Sequence, residues 1–354
     1  MKISFTSNLG IQNAMRSTIN ESQSELLKAQ TEVTTGTYAD AGVALGYQSG
    51  RSVSLTAEKS RLNAIMDSNS IVTQRLSASQ SSLSNMSDNI QTSMNSLIAL
   101  SGSDDKTLLA TTTQSLQSQL DAFTSSANTS ANGEYLFSGI NTSQQPMTSY
   151  TATSAAKASF DSALSNYMSA NGIASMSDFT VTQMQDFVKN TIEPMYDASS
   201  GSDQWKTDWS NASDTDMTSR INTSETVQTS TNANTDGFRK FALASVLGIE
   251  LLGSDVNSDV RQYVSKAAIG YMGQAISGVD SERSALGLSE SRVTAANTTI
   301  STQVNIVETS FNSLNEVDAY QASTKVNTLL SQMEASYTLT AHIQKLSLVN
   351  YVSG

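Results

Sequence analysis

A seven-residue repeat of apolar side chains through residues 55–100 restricts the fold of this chain more than any other feature. One set of repeat positions holds Leu55, Leu62, Asn69, Leu76, Leu83, Ile90 and Leu97. The set three residues further on holds Glu58, Ile65, Val72, Ser79, Met86, Ser93 and Leu100. This spacing is typical of a coiled-coil seam. It predicts one helix of about 70 Å, at 1.5 Å per residue, which needs partner helices along its length.

The seam of the predicted rod has one polar member among its central positions. We assign the seam to Leu62, Ile65, Asn69, Val72, Leu76, Leu83, Met86, Ile90 and Leu97. A buried Asn69 would fix the register of the helices at a cost in stability. Alternatively, its amide reaches solvent where the seam frays. The pattern favours neither interpretation.

Each end of the chain carries a single apolar stripe with helical spacing. The N-terminal stripe is Ile11, Met15, Ile19, Leu26 and Val33, and the C-terminal stripe is Val326, Leu329, Met333, Ile343, Leu346 and Val349. One stripe buries too little apolar surface to hold an isolated helix. Packing onto the chain's own core is one outcome. Our hypothesis is that the stripes pair with each other and with neighbouring copies, forming an assembly interface that is disordered in the monomer.

Helix boundaries follow from local signals. Gly36 predicts the end of the first helix, followed by a glycine-rich loop over residues 42–50. The acidic run 103–105 predicts the start of another helix. The apolar stripe at 260–275 predicts a further helix, and a long one follows Gly287. A phase slip between residues 314 and 326 predicts a stutter or a break.

Residues 137–237 lose the seven-residue repeat and hold both prolines and both tryptophans of the chain. Alternation at 178–182 predicts a short strand, and the spacing at 160–168 predicts a short helix. We interpret the region as a small mixed domain inserted between two helical halves. Trp205 and Trp209 are expected in its core, although a sugar-binding surface remains open.

Composition excludes several kinds of chemistry. The chain has no cysteine and one histidine, so thiol catalysis, thiolate metal sites and paired-histidine zinc motifs are excluded. The loop at 45–52 lacks residues that a phosphate-binding loop requires. The loop at 255–266 lacks residues that a calcium-binding loop requires. A net charge of −12 argues against a nucleic-acid partner. No apolar run is long enough to span a membrane, so we expect no membrane partner. The N-terminus lacks the apolar core of a signal peptide, so we expect no cleaved signal. No catalytic residue, cofactor or metal is predicted.

Several segments resemble the bacterial flagellin superfamily, and within it hook-associated protein 3, the hook–filament junction branch, of alphaproteobacterial type. The N-terminal Met1-Lys-Ile-Ser-Phe-Thr-Ser-Asn-Leu-Gly-Ile-Gln-Asn-Ala-Met-Arg16 is similar to the start of that branch. Gly133-Glu-Tyr-Leu-Phe-Ser-Gly139 is similar to its G-x-Y-[IL]-F-[AS]-G marker, here Gly133, Tyr135, Phe137 and Gly139. Lys28–Gly36 and Leu346–Val352 match the ends of its terminal helices. The resemblance covers roughly 1–145 and 240–354.

The resemblance implies a mainly α fold. It implies a long antiparallel helical coiled-coil or bundle rod, built from the N- and C-terminal segments, with a β-hairpin and an inserted small mixed α+β domain. Residues 1–40 and 316–354 would form an inner polymerisation domain, 41–140 and 238–315 the rod, and 141–237 a variable outer domain. Asn132-Gly133 would turn the chain back, and residues 135–137 would run extended against the rod.

The resemblance also implies a structural role without enzymatic activity. Such a subunit is exported unfolded through the flagellar type III apparatus to the outside of the cell. It self-assembles into a ring, with the first hook-associated protein and flagellin as neighbours and an export chaperone on its C-terminal helix. The main alternative is a flagellin filament subunit. A coiled-coil adhesin would need a signal or membrane segment, and an enzyme in the middle region would need paired catalytic groups.

Overall fold

A computed structural model describes residues 8–100, 103–202 and 204–352. The protein is 76% helical, with long helices and two small antiparallel hairpins in the described part, which confirms the mainly α, flagellin-like rod. The chain divides into two compact units. Unit 1 comprises Met1–Ala64 and Ile300–Gly354, and unit 2 comprises Ile65–Thr299.

Eleven α-helices and four strands occur in the described residues. In chain order the helices are α1 (Asn8–Thr35), α2 (Ala41–Leu45), α3 (Ser49–Leu100), α4 (Lys106–Ala127), α5 (Ala155–Ala170), α6 (Val181–Asp186), α7 (Glu193–Tyr196), α8 (Gln204–Asp208), α9 (Asp236–Leu252), α10 (Ser258–Asn315) and α11 (Ala319–Val352). The strands are β1 (Ser130–Ala131), β2 (Glu134–Tyr135), β3 (Thr218–Arg220) and β4 (Thr226–Gln228), paired β1–β2 and β3–β4. A π-helical turn, Phe187–Ile192, joins α6 to α7.

Unit 1 is built around the antiparallel pair of α1 and α11. Gly36, with φ of +70°, ends α1, and its N–H donates to the carbonyl of Glu32. A β-bridge between Thr37 and Glu316 ties the end of α1 to the start of α11. Two small residues on the facing sides, Ala29 at 0% and Ala322 at 3% exposure, let the helices approach closely.

Unit 2 holds one continuous hydrophobic core, drawn from α3, α4, α9, α10 and the region between α4 and α9. In α9 nearly every side chain is buried, because this helix packs on α4 and its apolar residues cover most of its circumference. Gly237 at its start lies against Gly278 of α10. A Cβ on Gly278 would fall 2.6 Å from the Cα of Gly237, so only glycine fits this crossing.

The middle region is more helical than the sequence suggested. The predicted helix over 160–168 is confirmed as α5. The predicted strand at 178–182 is wrong, because a capping box between Thr180 and Gln183 starts α6 there. The aromatic residues of the middle region belong to the same hydrophobic core as the buried residues of α4 and α9.

The other boundary predictions have mixed outcomes. The glycine-rich loop is largely helical, since α2 includes Gly42 and α3 includes Gly50; Gly46 alone there has a positive φ, of 50°. No break occurs at Gly287, which lies inside α10. The predicted break before residue 326 is confirmed between α10 and α11. The Asp105 carboxylate caps α4 by accepting the N–H of Leu108 at 2.9 Å.

Candidate assembly interface

The residues assigned to the seam of the predicted rod are buried in the structure. Every seam residue except Ile65, which is half-buried, is less than 9% exposed. The fully buried Asn69 donates from Nδ2 to the carbonyl of Ile221 at 2.9 Å and to Oδ1 of Asn297 at 2.7 Å. The solvent-reaching interpretation of Asn69 is therefore wrong. Its own Oδ1 is buried without a hydrogen-bond partner, which lowers the stability of the folded state.

The marker Gly133–Gly139 begins in the turn of the β1–β2 hairpin and supplies its second strand, which is held against α3. Asn132 and Gly133 have φ of 53° and 83°, the left-handed values that a two-residue hairpin turn requires. Arg75 of α3 donates from Nη1 to Glu134 Oε2 at 2.8 Å and from Nη2 to the carbonyl of Tyr135 at 2.9 Å. Burial lowers the pKa of the Arg75 guanidinium, and Glu134 opposes that effect. The predicted turn is thus fixed by a buried cation.

Beyond the hairpin, the marker packs into the core of unit 2. Leu136 and Phe137 are fully buried, and the Phe137 ring lies 5.7 Å from that of Phe238. Gly139 has φ of +60°, and a Cβ there would lie 2.6 Å from the carbonyl oxygen of Ser213. The marker therefore connects α4 to the middle region and packs into the core of unit 2.

The two terminal stripes face each other within one protomer. Leu26 is 9% exposed, and the other described stripe residues except Val33 are half-buried: Ile11, Met15, Ile19, Val326, Leu329, Met333 and Ile343. Thr340 of α11 contacts the sulfur of Met15 at 3.8 Å. Val33 is 39% exposed. Leu346 and Val349 lie in α11 but outside the residues whose side chains are described. The α1–α11 pairing covers much of both stripes, and their role between copies remains a proposal.

A second set of apolar residues on the same helices points outward, and the stripes did not reveal it. Leu27 is 65%, Leu330 41% and Tyr337 48% exposed. The available signal was the leucine pairs Leu26-Leu27 and Leu329-Leu330. Consecutive residues on a helix lie about 100° apart, so only one leucine of each pair can occupy the seam.

One side of the α1–α11 pair is charged. Glu25 of α1 accepts from Lys28 and from Lys325 of α11, both at 3.0 Å. The hydrogen bond from Lys325 is the largest cause that lowers the pKa of Glu25, and Lys28 adds to it. A groove of about 400 Å³ on this side is lined partly by these three residues, Glu32 and Val43.

The remaining candidate sites are structural. Trp205 and Trp209 are 0% and 3% exposed, and Trp205 Nε1 donates to Asn234 Oδ1 at 3.0 Å, so both belong to the core. Asn257, in the calcium-like loop, caps α10 by accepting the N–H of Val260 at 3.0 Å. In the described part of the chain, no three His, Cys, Asp or Glu side chains are grouped to hold a metal ion. Among those same residues no helix is both long and apolar enough to span a bilayer.

Comparison with known proteins assigns this architecture to a family. The model of the bacterial flagellin N-terminal helical region matches residues 6–142, and that of the C-terminal helical region matches residues 269–352. No curated protein sequence matches the chain.

A solved structure of a protein assigned as a flagellar hook-associated protein, from Vibrio parahaemolyticus, has a similar fold. Its TM-score is 0.52 at 11% identity, over 76% of this chain and 97% of that one. Flagellin family proteins are structural, non-enzymatic subunits. The chain belongs to the flagellin superfamily and is a structural subunit of the bacterial flagellum.

Proposed function

We propose that this chain is the subunit that joins the flagellar hook to the filament. The observation that carries the proposal is the marker at residues 133–139, which resembles the junction branch and folds as a hairpin fixed by Arg75. The hook-associated protein of similar fold supports the same assignment.

The proposed layers follow the predicted domains. Residues 1–40 and 316–354 form the inner polymerisation layer, residues 41–140 and 238–315 the rod, and residues 141–237 the outer part. The sparse core of unit 1 supports an inner layer that depends on neighbouring copies. We infer that the subunits form a ring, with the first hook-associated protein on one side and flagellin on the other.

Export is part of the same proposal. The subunit leaves the cell unfolded through the flagellar type III apparatus, with a chaperone holding α11 until secretion. Its physical support is that α11 has few buried described residues and finds its main partner in α1, so a chaperone helix of similar character replaces α1 without exposing a large core.

Gene deletion followed by electron microscopy tests the proposal. A junction subunit predicts cells with intact hooks, no filaments and flagellin shed into the medium. Cells that keep full-length filaments after deletion contradict the junction role.

A filament subunit is the second candidate, favoured by the flagellin models that match both ends of the chain. Seeded growth of the purified protein distinguishes the two. Long filaments from this chain alone support the filament subunit, whereas short rings or caps on isolated hooks support the junction subunit.

A further inference from the structure

Exposed apolar side chains concentrate in unit 1. Of the sixteen large apolar side chains that are exposed among the described residues, eleven lie in unit 1, although it is the smaller unit. They are Leu27, Val33, Tyr38, Val43, Tyr47, Val53, Ile306, Tyr320, Leu330, Tyr337 and Leu339. Such a concentration on a unit with little core marks a surface that another molecule covers.

Several of these residues, together with the half-buried Val326, lie along one side of the α1–α11 pair. Gln23 donates to the Tyr337 hydroxyl at 2.9 Å, and Gln30 shares a groove of about 460 Å³ with Val33 and Val326. Leu27 is four residues from Gln23 and three from Gln30, so it lies between them on the same face of α1. Leu330 lies between Val326 and Tyr337 on α11 by the same spacing. We call Leu27, Val33, Val326, Leu330 and Tyr337 the apolar edge.

The opposite side of the pair carries charge and leads into a second exposed apolar segment, which begins at Val43. Glu25 lies about 200° around α1 from Leu27, so its ion pairs with Lys28 and Lys325 lie on the other side of the helix from that leucine. The groove on the Glu25 side is also lined by Val43. Val43 is 80%, Tyr47 93% and Val53 69% exposed, and we call these three residues the 43–53 patch.

The apolar edge and the exposed segment that begins at Val43 are two different apolar surfaces, and such a pair suits a contact that repeats. A self-complementary surface pairs two copies about a two-fold axis and stops there, whereas head-to-tail contacts propagate into rings or helical polymers. The family self-assembles into flagellar polymers, so the repeating type is required.

We propose that the apolar edge of one copy receives the 43–53 patch of the next copy of this chain. The inference rests on the proposed function in so far as both require this chain to be incorporated into flagella. It adds which residues make the contact: Leu330 and Tyr337 on one copy, and Val43 and Tyr47 on its neighbour.

Cross-linking in assembled flagella tests the contact, because the chain contains no cysteine of its own. Cells that lack the native gene express the full chain as Leu330→Cys, Tyr47→Cys or the double variant. Isolated flagella are treated with a short bis-maleimide. The expected result is a ladder of linked subunits from the double variant and monomers from each single variant. The control Leu330→Cys/Ile71→Cys, whose second site is 60% exposed in unit 2, stays monomeric.

Two results overturn the contact. Linked dimers from Leu330→Cys alone show that edges meet edges, and monomers from the double variant in flagella that contain the chain show that the two surfaces do not meet. Absence of the wild-type chain from flagella overturns the proposed function instead, so the two failures are distinct.

Substitution gives a second readout. Leu330→Ser and Tyr47→Ser are expected to reduce incorporation into flagella by about tenfold or more relative to Leu288→Ser, which alters an exposed leucine of unit 2. Circular dichroism of the purified chains verifies that all three fold alike. Equal incorporation of the three variants contradicts the proposal.

Discussion

Unit 1 and unit 2 are both helical, but they are stabilised in different ways. The continuous core lies wholly between residues 72 and 296, inside unit 2. The described part of unit 1 buries five apolar side chains, Leu26, Ala29, Leu62, Ile300 and Ala322. Long helices with matched patterns therefore do not imply equal stability. Unit 2 has a continuous core, whereas unit 1 buries few side chains, so we expect the stability of unit 1 to depend on what covers its outer surfaces.

The largest expected effect is the loss of an aromatic ring from the core of unit 2. Phe123 is fully buried, with its ring 4.4 Å from that of Phe241 and 5.2 Å from that of Phe238. Phe123→Ala is expected to lower the free energy of unfolding of unit 2 by about 3–5 kcal/mol. Urea denaturation followed by tryptophan fluorescence measures this, since both tryptophans are in unit 2. Ile98→Ala, at a half-exposed site in α3, is the control and is expected to change little.

The second prediction concerns the seam of unit 1. Leu26→Asp removes a buried leucine and places a carboxylate in the α1–α11 seam, at a cost of about 2–5 kcal/mol. Because that pair has little else to hold it, we expect α1 and α11 to lose helicity while the unfolding of unit 2 is unchanged.

Leu27→Asp is the matched control, one position away and 65% exposed. It is expected to keep the helicity of the pair and yet to hinder assembly through the apolar edge. Circular dichroism and pelleting assays separate the two effects. If Leu26→Asp and Leu27→Asp had the same helicity, the assignment of Leu26 to the α1–α11 seam would be contradicted.

The helix patterns, the caps and the hairpin were predictable because each depends on residues close in sequence. Asp105 caps α4, Asn257 caps α10, and Asn132-Gly133 turns the hairpin, all as local rules require. The strand predicted at 178–182 failed because alternation over five residues is weaker than a capping box. The outward-facing Leu27 and Leu330 were missed because each follows a leucine that fits the apolar stripe of its helix, and a stripe with helical spacing includes only one residue of such a pair.

A third prediction tests how tightly unit 2 is packed. Gly278→Ala places a Cβ 2.6 Å from the Cα of Gly237, and backbone cannot yield as a side chain does. We expect a loss of about 1–3 kcal/mol. Gly273→Ala, in the same helix with nothing within 4 Å of the new Cβ, is expected to gain about 0.5–1 kcal/mol. Thermal unfolding of the two variants should shift in opposite directions.

The smallest expected effect is a pH dependence inside unit 2. Burial raises the pKa of Asp216 above its usual value of 3.8, and nearby Glu282 adds to the rise. As the pH falls through the raised folded-state pKa toward 3.8, the folded state takes up a proton before the unfolded state does. This group therefore stabilises unit 2 in mildly acidic solution.

Glu282→Gln removes the neighbouring charge and retains an oxygen for the Thr231 hydroxyl, which donates to Glu282 at 2.6 Å. The pKa of Asp216 should fall, and the stabilisation on acidification should become smaller. NMR titration of the Asp216 carboxyl carbon measures the shift, and an unchanged pKa would show that Glu282 does not act on it.

Hydrogen–deuterium exchange of the full-length chain, in dilute solution and in assembled flagella, tests most directly whether unit 1 depends on neighbouring copies. We expect the amides of α1 and α11 to exchange orders of magnitude faster than those of α4 and α9 in dilute solution, and to become protected on assembly. Exchange in α4 and α9 should be the same in both states. Equal protection of α1, α11, α4 and α9 in the dilute chain would contradict the account.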